Sequence, residues 1–325
     1  MSGAEEIWGV LGGGFGLYGY LPAVALRTTG RIHTLARYRE KIRRRTDIQA
    51  YEGRIIFEQD AKAVFARCNA VIIALRPVDQ EYLLAKILDQ RWKGKIILEK
   101  PFARTPELAL ALLERLAVSG IQFRIGFTLG ATAWATKLGQ YLAANKEKAI
   151  SLDFRWLFLA HHYRNEVETW KRYYLQGGGA TRFYAIHLIA LFSKWSFDSP
   201  VRYQRLTTER GEEPECRFAV STGTWRASVV CDTKWQGKPG FNIRTTVEGA
   251  APFEIALEDP FKETTPNVPG EQVDVRVGYL LKIFNSFDDI GNPGKLYYLE
   301  HVRLWSRLEG KAEPLDSIEP ALSND

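Results

Sequence analysis

The chain has 325 residues, 46% hydrophobic and 25% charged, with a net charge of +6 and three widely spaced cysteines, Cys68, Cys216 and Cys231. No apolar run reaches the length of about 18 residues that spans a bilayer, and the N-terminus lacks the basic and apolar regions of a secretory signal, so a cytoplasmic protein with no membrane partner is expected. The cysteines fit a reducing compartment and show no metal-ligand spacing. The densest basic run, "KIRRR" at 41–45, comes with no nucleic-acid motif and reads as a solvated helix face, so no nucleic-acid partner is expected.

Short apolar runs at residues 7–11, 32–36, 54–57, 70–75 and 95–98 alternate with segments of helical spacing such as "EYLLAKILDQ" and "ELALALLERLA". Strand and helix in this rhythm predict a doubly wound parallel sheet. Thr105 and Pro106 read as the cap and first residue of a helix running to about residue 118. Beyond residue 120 the period falls to two. Ile150, Leu152, Phe154, Trp156 and Phe158 form one apolar face, as do Trp225, Ala227, Val229 and Cys231, and Phe241, Ile243, Thr245 and Val247. Long strands of this kind predict an antiparallel sheet with one face on a core. Helices are expected at 181–195, 272–289 and 295–308, and a loose tail at the end. The fold class is therefore α/β, with a Rossmann domain at 1–122, an α+β domain at 123–310 and a tail at 311–325.

The stretch "LGGGFGLYGYLPA" at 11–23 places G-x-G-x-x-G (Gly14, Gly16, Gly19) between the first strand and a helix expected to start near Leu17. In that setting the first glycine permits a tight turn, the second admits a pyrophosphate to the backbone, and the third lets helix and strand pack closely. Gly12, Gly14, Phe15, Gly16 and Leu17 are the candidate cofactor residues of this turn; a glycine-rich turn that binds nothing is the alternative. NAD sites carry an acid about 20 residues further on. Here Arg37 follows the second strand, with Arg39 and Lys41 behind it. An arginine can grip a 2′-phosphate with two parallel bonds, so NADP(H) is preferred over NAD(H), unless Arg37 is a solvated loop residue.

"EKP" at 99–101 ends the fifth strand, where ligands of open parallel sheets sit. Lys100 there is a candidate for proton transfer, since burial lowers a lysine pKa. These features, together with "VIIALRP" at 71–77 and "GGGATRFYAIH" at 177–187, resemble the Gfo/Idh/MocA family of NAD(P)-dependent oxidoreductases across nearly the whole chain. The resemblance implies a Rossmann domain followed by a domain built on a large, mostly antiparallel sheet. It implies assembly as a homodimer or homotetramer, and hydride chemistry on a hydroxyl or ketone of a sugar, cyclitol or nucleotide sugar. It also implies that Leu75, Pro77, Glu99 and Lys100 join the cofactor set. Its catalytic lysine matches Lys100 and its histidine His187. The aspartate four residues earlier is replaced by Phe183, and the intervening glycine by Ala185.

Candidate catalytic residues are thus Lys100, His187 and Tyr184, with Lys100 also polarising a carbonyl. Imidazole titrates in the useful range, although His187 also reads as a packed core histidine and Tyr184 as packing. The aromatic and charged segment 159–179 leads into this helix. Trp170 and Arg182 join Lys100, Tyr184 and His187 as candidate substrate contacts, and Glu166 and Glu168 are possible sources of the missing acid. His161 and His162 lack further ligands at useful spacing, so no metal is expected. The expected function is NADP(H)-dependent oxidoreduction of a sugar-like or nucleotide-sugar carbonyl or hydroxyl. The alternatives are an imine or conjugated-system reductase of the same fold, and a non-catalytic dinucleotide-binding regulator.

Overall fold

The computed structural model describes residues 6–262, 273–288 and 294–314. They group into two compact units, Met1–Ala103 with Glu107–Ala133 and Phe261–Leu299, and Arg104–Pro106 with Trp134–Pro260 and Glu300–Asp325. Phe261–Leu299 thus groups with the first unit although it follows all but the last strand of the second sheet in sequence.

The first unit holds six strands: β1 (Trp8–Leu11), β2 (Ile32–Leu35), β3 (Ile55–Glu58), β4 (Ala70–Ile73), β5 (Lys95–Leu98) and β6 (Gln122–Ile125). All pair in parallel in the order β3-β2-β1-β4-β5-β6. The strands read as near-continuous apolar runs because helices cover both faces of such a sheet; β1 and β4 are buried at every position. Strand order reverses between β1 and β4, which is where doubly wound sheets open a crevice beyond their carboxyl ends. The helix Pro106–Ser119 opens on its proline, as expected, because proline has the right φ and lacks only an N–H that would go unbonded there.

The second unit carries β7 (Ile150–Leu157), β8 (Ser199–Leu206), β9 (Glu215–Thr222), β10 (Trp225–Asp232), β11 (Gly240–Val247), β12 (Glu254–Leu257) and β13 (Ala312–Pro314), in the order β12-β11-β7-β10-β9-β8-β13. The sheet is mostly antiparallel, but β7 pairs in parallel with β10 and β8 with β13. The period-2 pattern is realised: β7 buries Ile150, Leu152, Phe154 and Trp156. These rings meet Phe192 of the helix Ile186–Lys194 at 5.1 Å and Phe241 of β11 at 5.9 Å. Trp134 of the helix Ala133–Ala144 packs 4.9 Å from Phe241.

The helix expected at 272–289 spans Val277–Asn285, with Gln272 and Asp289 outside the described residues, and the last helix spans Gly294–Glu309. Within the expected tail, Ala312–Pro314 instead forms β13, and 315–325 lie outside the described residues.

Candidate functional site

In the first unit the glycines do a different division of labour from the one their spacing suggests. The helix after β1 begins as a π-helical turn, Gly16–Tyr20, before the α-helix Leu21–Arg27. Gly12 makes the turn, at φ +156°, and a Cβ there would collide with the Ala74 carbonyl after β4. At Gly14 a Cβ would meet nothing within 4 Å, so this backbone faces open space. At Gly16 a Cβ would stand at ordinary contact distance, 3.4 Å from the Ala74 methyl and 3.7 Å from Val10. The expectation that Gly14, Gly16 and Gly19 take these three roles is corrected: Gly19 is needed instead because a Cβ would strike the Phe15 ring.

Phe15 stands edge-on to Tyr18 and Tyr20, each at 5.3 Å, with the Arg276 guanidinium 4.2 Å from its ring centre. Leu17 is corrected to a structural position: its side chain is in the core and its N–H donates to the Gly14 carbonyl at 2.8 Å. Leu75 is half-buried after β4, and buried Pro77 starts the helix Pro77–Asp89.

Arg37 is exposed on the turn Ala36–Tyr38 that ends β2, and its guanidinium donates to the Tyr38 hydroxyl at 3.2 Å. Tyr38 in turn covers the glycine turn, 2.9 Å from where a Gly13 Cβ would lie. The Lys41 amine stands 3.4 Å from that same point. Arg39 turns the other way, over the Phe57 ring at 4.3 Å. The glycine turn thus has the Tyr38 ring and the Lys41 amine beside Gly13, with Arg37 bonded to the Tyr38 hydroxyl. Lys41 was visible in sequence only as a charge behind Arg37.

At the end of β5, Gln80 of the helix Pro77–Asp89 donates to the Glu99 carbonyl at 2.9 Å and the Pro101 carbonyl at 3.2 Å, clamping the loop that carries buried Lys100. The Glu99 carboxylate accepts a 2.8 Å bond from the fully buried Tyr20 hydroxyl. Burial, then the Glu99 charge, hold the Tyr20 phenol well above its ordinary pKa, so it remains a donor. Gly126 leaves the room, since a Cβ would collide with the Tyr20 oxygen. Nothing in the sequence links positions 20, 99 and 126.

In the second unit, the candidate helix also begins as a π-helical segment, Ala180–Ala185, so Phe183 and Tyr184 lie on it while His187 lies on the α-helix that follows. π-turns of this kind recur at functional sites. Two of the three glycines before it admit close neighbours. A Cβ at Gly178 would strike the Trp170 carbonyl, and one at Gly179 (φ +82°) would sit 2.7 Å from the Glu213 Cβ. Glu213 is fully buried, and its Oε1 accepts from the Thr181 N–H at 3.0 Å and the Thr181 hydroxyl at 2.5 Å. Burial pushes its carboxyl up to about 8 against the lowering effect of these bonds.

Phe183 lies edge-on to Trp170 at 5.3 Å and Tyr184 at 4.7 Å, and the Lys171 amine is 5.0 Å from its ring centre. Tyr184 also meets Phe158 at 5.0 Å and His162 at 6.2 Å. His187 is 3% exposed. Arg182 is corrected as a substrate contact. Its guanidinium is buried against Tyr174, donates to both oxygens of Glu309 at 2.8 and 2.5 Å, and donates to the carbonyls of Arg104 and Tyr174. With four of five donors spent inside the unit, it is a structural ion pair. Glu168 accepts from Tyr173, and Glu166 is exposed. Among the described residues, no group of three or more His, Cys, Asp and Glu could hold a metal, and no helix is long and apolar enough to cross a membrane.

No protein-family profile matches the chain, and no curated protein matches it in sequence. Solved structures do match. The WlbA (WbpB) dehydrogenase from Thermus thermophilus, in complex with NAD and alpha-ketoglutarate, is 15% identical over 97% of this chain and 98% of that one, with a TM-score of 0.67. The WlbA dehydrogenase from Bordetella pertussis, with NADH and UDP-GlcNAcA, is 12% identical over 94% and 96%, with a TM-score of 0.72. KijD10, a 3-ketoreductase from Actinomadura kijaniata with NADP and TDP-benzene, is 12% identical over 95% and 99%, with a TM-score of 0.69. The likeness is one of fold: a parallel Rossmann-type sheet followed by a mixed seven-stranded sheet. That two-domain fold is the one the Gfo/Idh/MocA resemblance implies.

Proposed function

We infer that the chain is a Gfo/Idh/MocA-type oxidoreductase that uses NADP(H) on a carbonyl or hydroxyl of a sugar-like or nucleotide-sugar substrate. The observation that carries this reading is the glycine turn beyond β1, open at Gly14, with Tyr38 and Lys41 beside Gly13. The bound coenzyme would supply the hydride chemistry. Gly12, Gly14, Phe15 and Gly16 would hold its diphosphate on main chain; Arg37 and Lys41 would meet the 2′-phosphate; Leu75, Pro77, Glu99 and Lys100 would line the rest of the crevice.

Lys100, presented by the Gln80-clamped loop, would polarise the substrate oxygen and exchange its proton. His187 would serve as the second proton carrier, with Tyr184 beside Phe158 and Trp170 against Phe183 shaping the substrate face of the second unit. The fold neighbours whose bound molecules are nucleotide sugars or nucleotide analogues support that substrate class, and a soluble homo-oligomer of the cytoplasm accords with the family. Phe183, packed between Trp170 and Tyr184 where a carboxylate is usual, favours as a second reading a reductase of imines or conjugated systems, or a coenzyme-binding regulator.

Nicotinamide fluorescence titrations test the coenzyme assignment. NADPH is expected to bind more tightly than NADH, and Arg37→Ala to weaken NADPH by roughly tenfold to a hundredfold while sparing NADH. Equal losses for both coenzymes would refute the phosphate role. For turnover, a panel of keto sugars and nucleotide sugars is the screen. On any substrate found, Lys100→Ala and His187→Ala should each lower the rate by roughly 10²-fold or more, the scale of positioned acid–base catalysis. Coenzyme binding with no turnover on keto sugars, nucleotide sugars or imines would favour the regulator.

A further inference from the structure

Three adjoining side chains of the second unit hold buried polar atoms with no hydrogen-bond partner among the described residues: Nε2 of His162, the hydroxyl of Tyr163 and Nε of Arg172. Folded proteins leave few such atoms unmatched, and a cluster of them marks a place for ordered water or a ligand. The three groups are contiguous. The His162 and Tyr163 rings are 4.7 Å apart, and the Arg172 guanidinium lies 4.8 Å from the Tyr163 ring centre. Arg172 is held there by its Nη2 donating to the His162 carbonyl and its Nη1 meeting Glu212 at 3.3 Å. His162 itself is only 4% exposed and is 6.2 Å, ring to ring, from Tyr184.

All three orphaned atoms can donate: a phenol O–H, a guanidinium N–H, and an imidazole N–H in the Nε2 tautomer. Burial, then the charges of Lys171 and Arg172, push the His162 imidazole down to about 4, so it stays neutral at ordinary pH. Arg172, Lys171 and Lys234 are the nearby cations, and the Glu212 and Glu213 carboxyls act on Tyr163 in the opposite sense. The Lys234 amine is 5.5 Å from the Tyr163 ring, and the Lys171 amine lies over Phe183. Glu212 opposes them through its pairing with Arg172. An aspartate in place of Phe183 would add negative charge close by; the phenyl ring adds none.

We propose that His162, Tyr163 and Arg172 form a subsite for an oxyanion, a sugar carboxylate or a phosphate, carried by the substrate. The proposal rests on the functional reading above only in naming that ligand part of a substrate. It also gives the Phe183 replacement a use, since an anionic substituent is better received without a carboxylate on the neighbouring helix.

Histidine-selective ¹⁵N NMR on the full chain tests it, with the His162 signal assigned by His162→Gln. D-glucuronate, inorganic phosphate and D-glucose are titrated separately, and NADPH in a further arm. Glucuronate or phosphate is expected to move the His162 Nε2 signal saturably, the responsive one identifying the source, while glucose leaves it in place. Tyr163→Phe, which removes only the hydroxyl, should weaken that anion by roughly tenfold with the fold intact. Silence toward both anions, an equal response to glucose, or unchanged affinity in Tyr163→Phe would each overturn the subsite, leaving ordered water as its occupant. Loss of NADPH binding alone would instead overturn the coenzyme reading, so the two failures are distinguishable.

Discussion

Gly12→Ala is expected to be the most damaging single-methyl change in the first unit, lowering stability by about 3 kcal/mol or more and abolishing measurable NADPH binding. Two costs add. The backbone sits at φ +156°, where an L side chain is strained, and the new Cβ would overlap the carbonyl oxygen of Ala74. That oxygen belongs to main chain leaving β4, whose neighbour Leu11 accepts the Ala74 N–H at 2.7 Å, so no flexible side chain can yield. Relief requires separating β1 from β4 at the point where the crevice opens. Urea unfolding reads the first effect and NADPH fluorescence the second. Gly14→Ala is the contrast, since its Cβ would meet nothing within 4 Å; it should fold normally and lose coenzyme affinity alone. Wild-type stability in Gly12→Ala would refute the turn assignment.

The second large effect is a pH dependence centred on Glu213. Its carboxyl is raised to about 8 by burial, so the folded chain holds a proton that the unfolded chain releases at ordinary carboxyl pH. A group protonated more readily when folded contributes stability at low pH that is lost as pH climbs. Here the loss begins near the ordinary carboxyl range and is complete just above pH 8, amounting to about 4–5 kcal/mol by linkage. Glu213→Gln carries no such proton. Its amide would still accept from Thr181 through one atom, but its NH₂ would occupy the position of Oε2, which has no partner among the described residues. That leaves a constant cost of about 1–3 kcal/mol. The variant should therefore be less stable than wild type at pH 5 and more stable at pH 9, the two curves crossing between. Thermal or urea unfolding across that range is the measurement, and a difference independent of pH would show that Glu213 is ionised throughout. Thr181, which donates to Glu213, lies in the π-segment Ala180–Ala185 that bears Phe183 and Tyr184, so Glu213 is anchored to the element expected to shape the substrate face.

Local chemistry wrote much of this molecule plainly. Hydrophobic period separated the parallel sheet from the later one, because a strand buried on both faces needs apolar residues throughout and a half-buried one needs them at every second place. Pro106 opened its helix where the chain said it would. The clustered glycines announced a crevice, since only their backbone tolerates such turns and approaches. Partners distant in sequence, however, are chosen by packing alone. Arg182 reads in sequence as a candidate substrate contact, but Glu309, 127 residues away, holds its guanidinium. Tyr20 and Glu99 meet across 79 residues with no local sign of it. The roles of the glycines follow from what each backbone faces, the Ala74 carbonyl at Gly12 and the Phe15 ring at Gly19, and residue spacing does not encode those neighbours. The orphaned donors of His162, Tyr163 and Arg172 likewise exist only once burial has removed water from them. Period and turn chemistry are properties of neighbouring residues; burial and ion pairing are properties of the assembled fold.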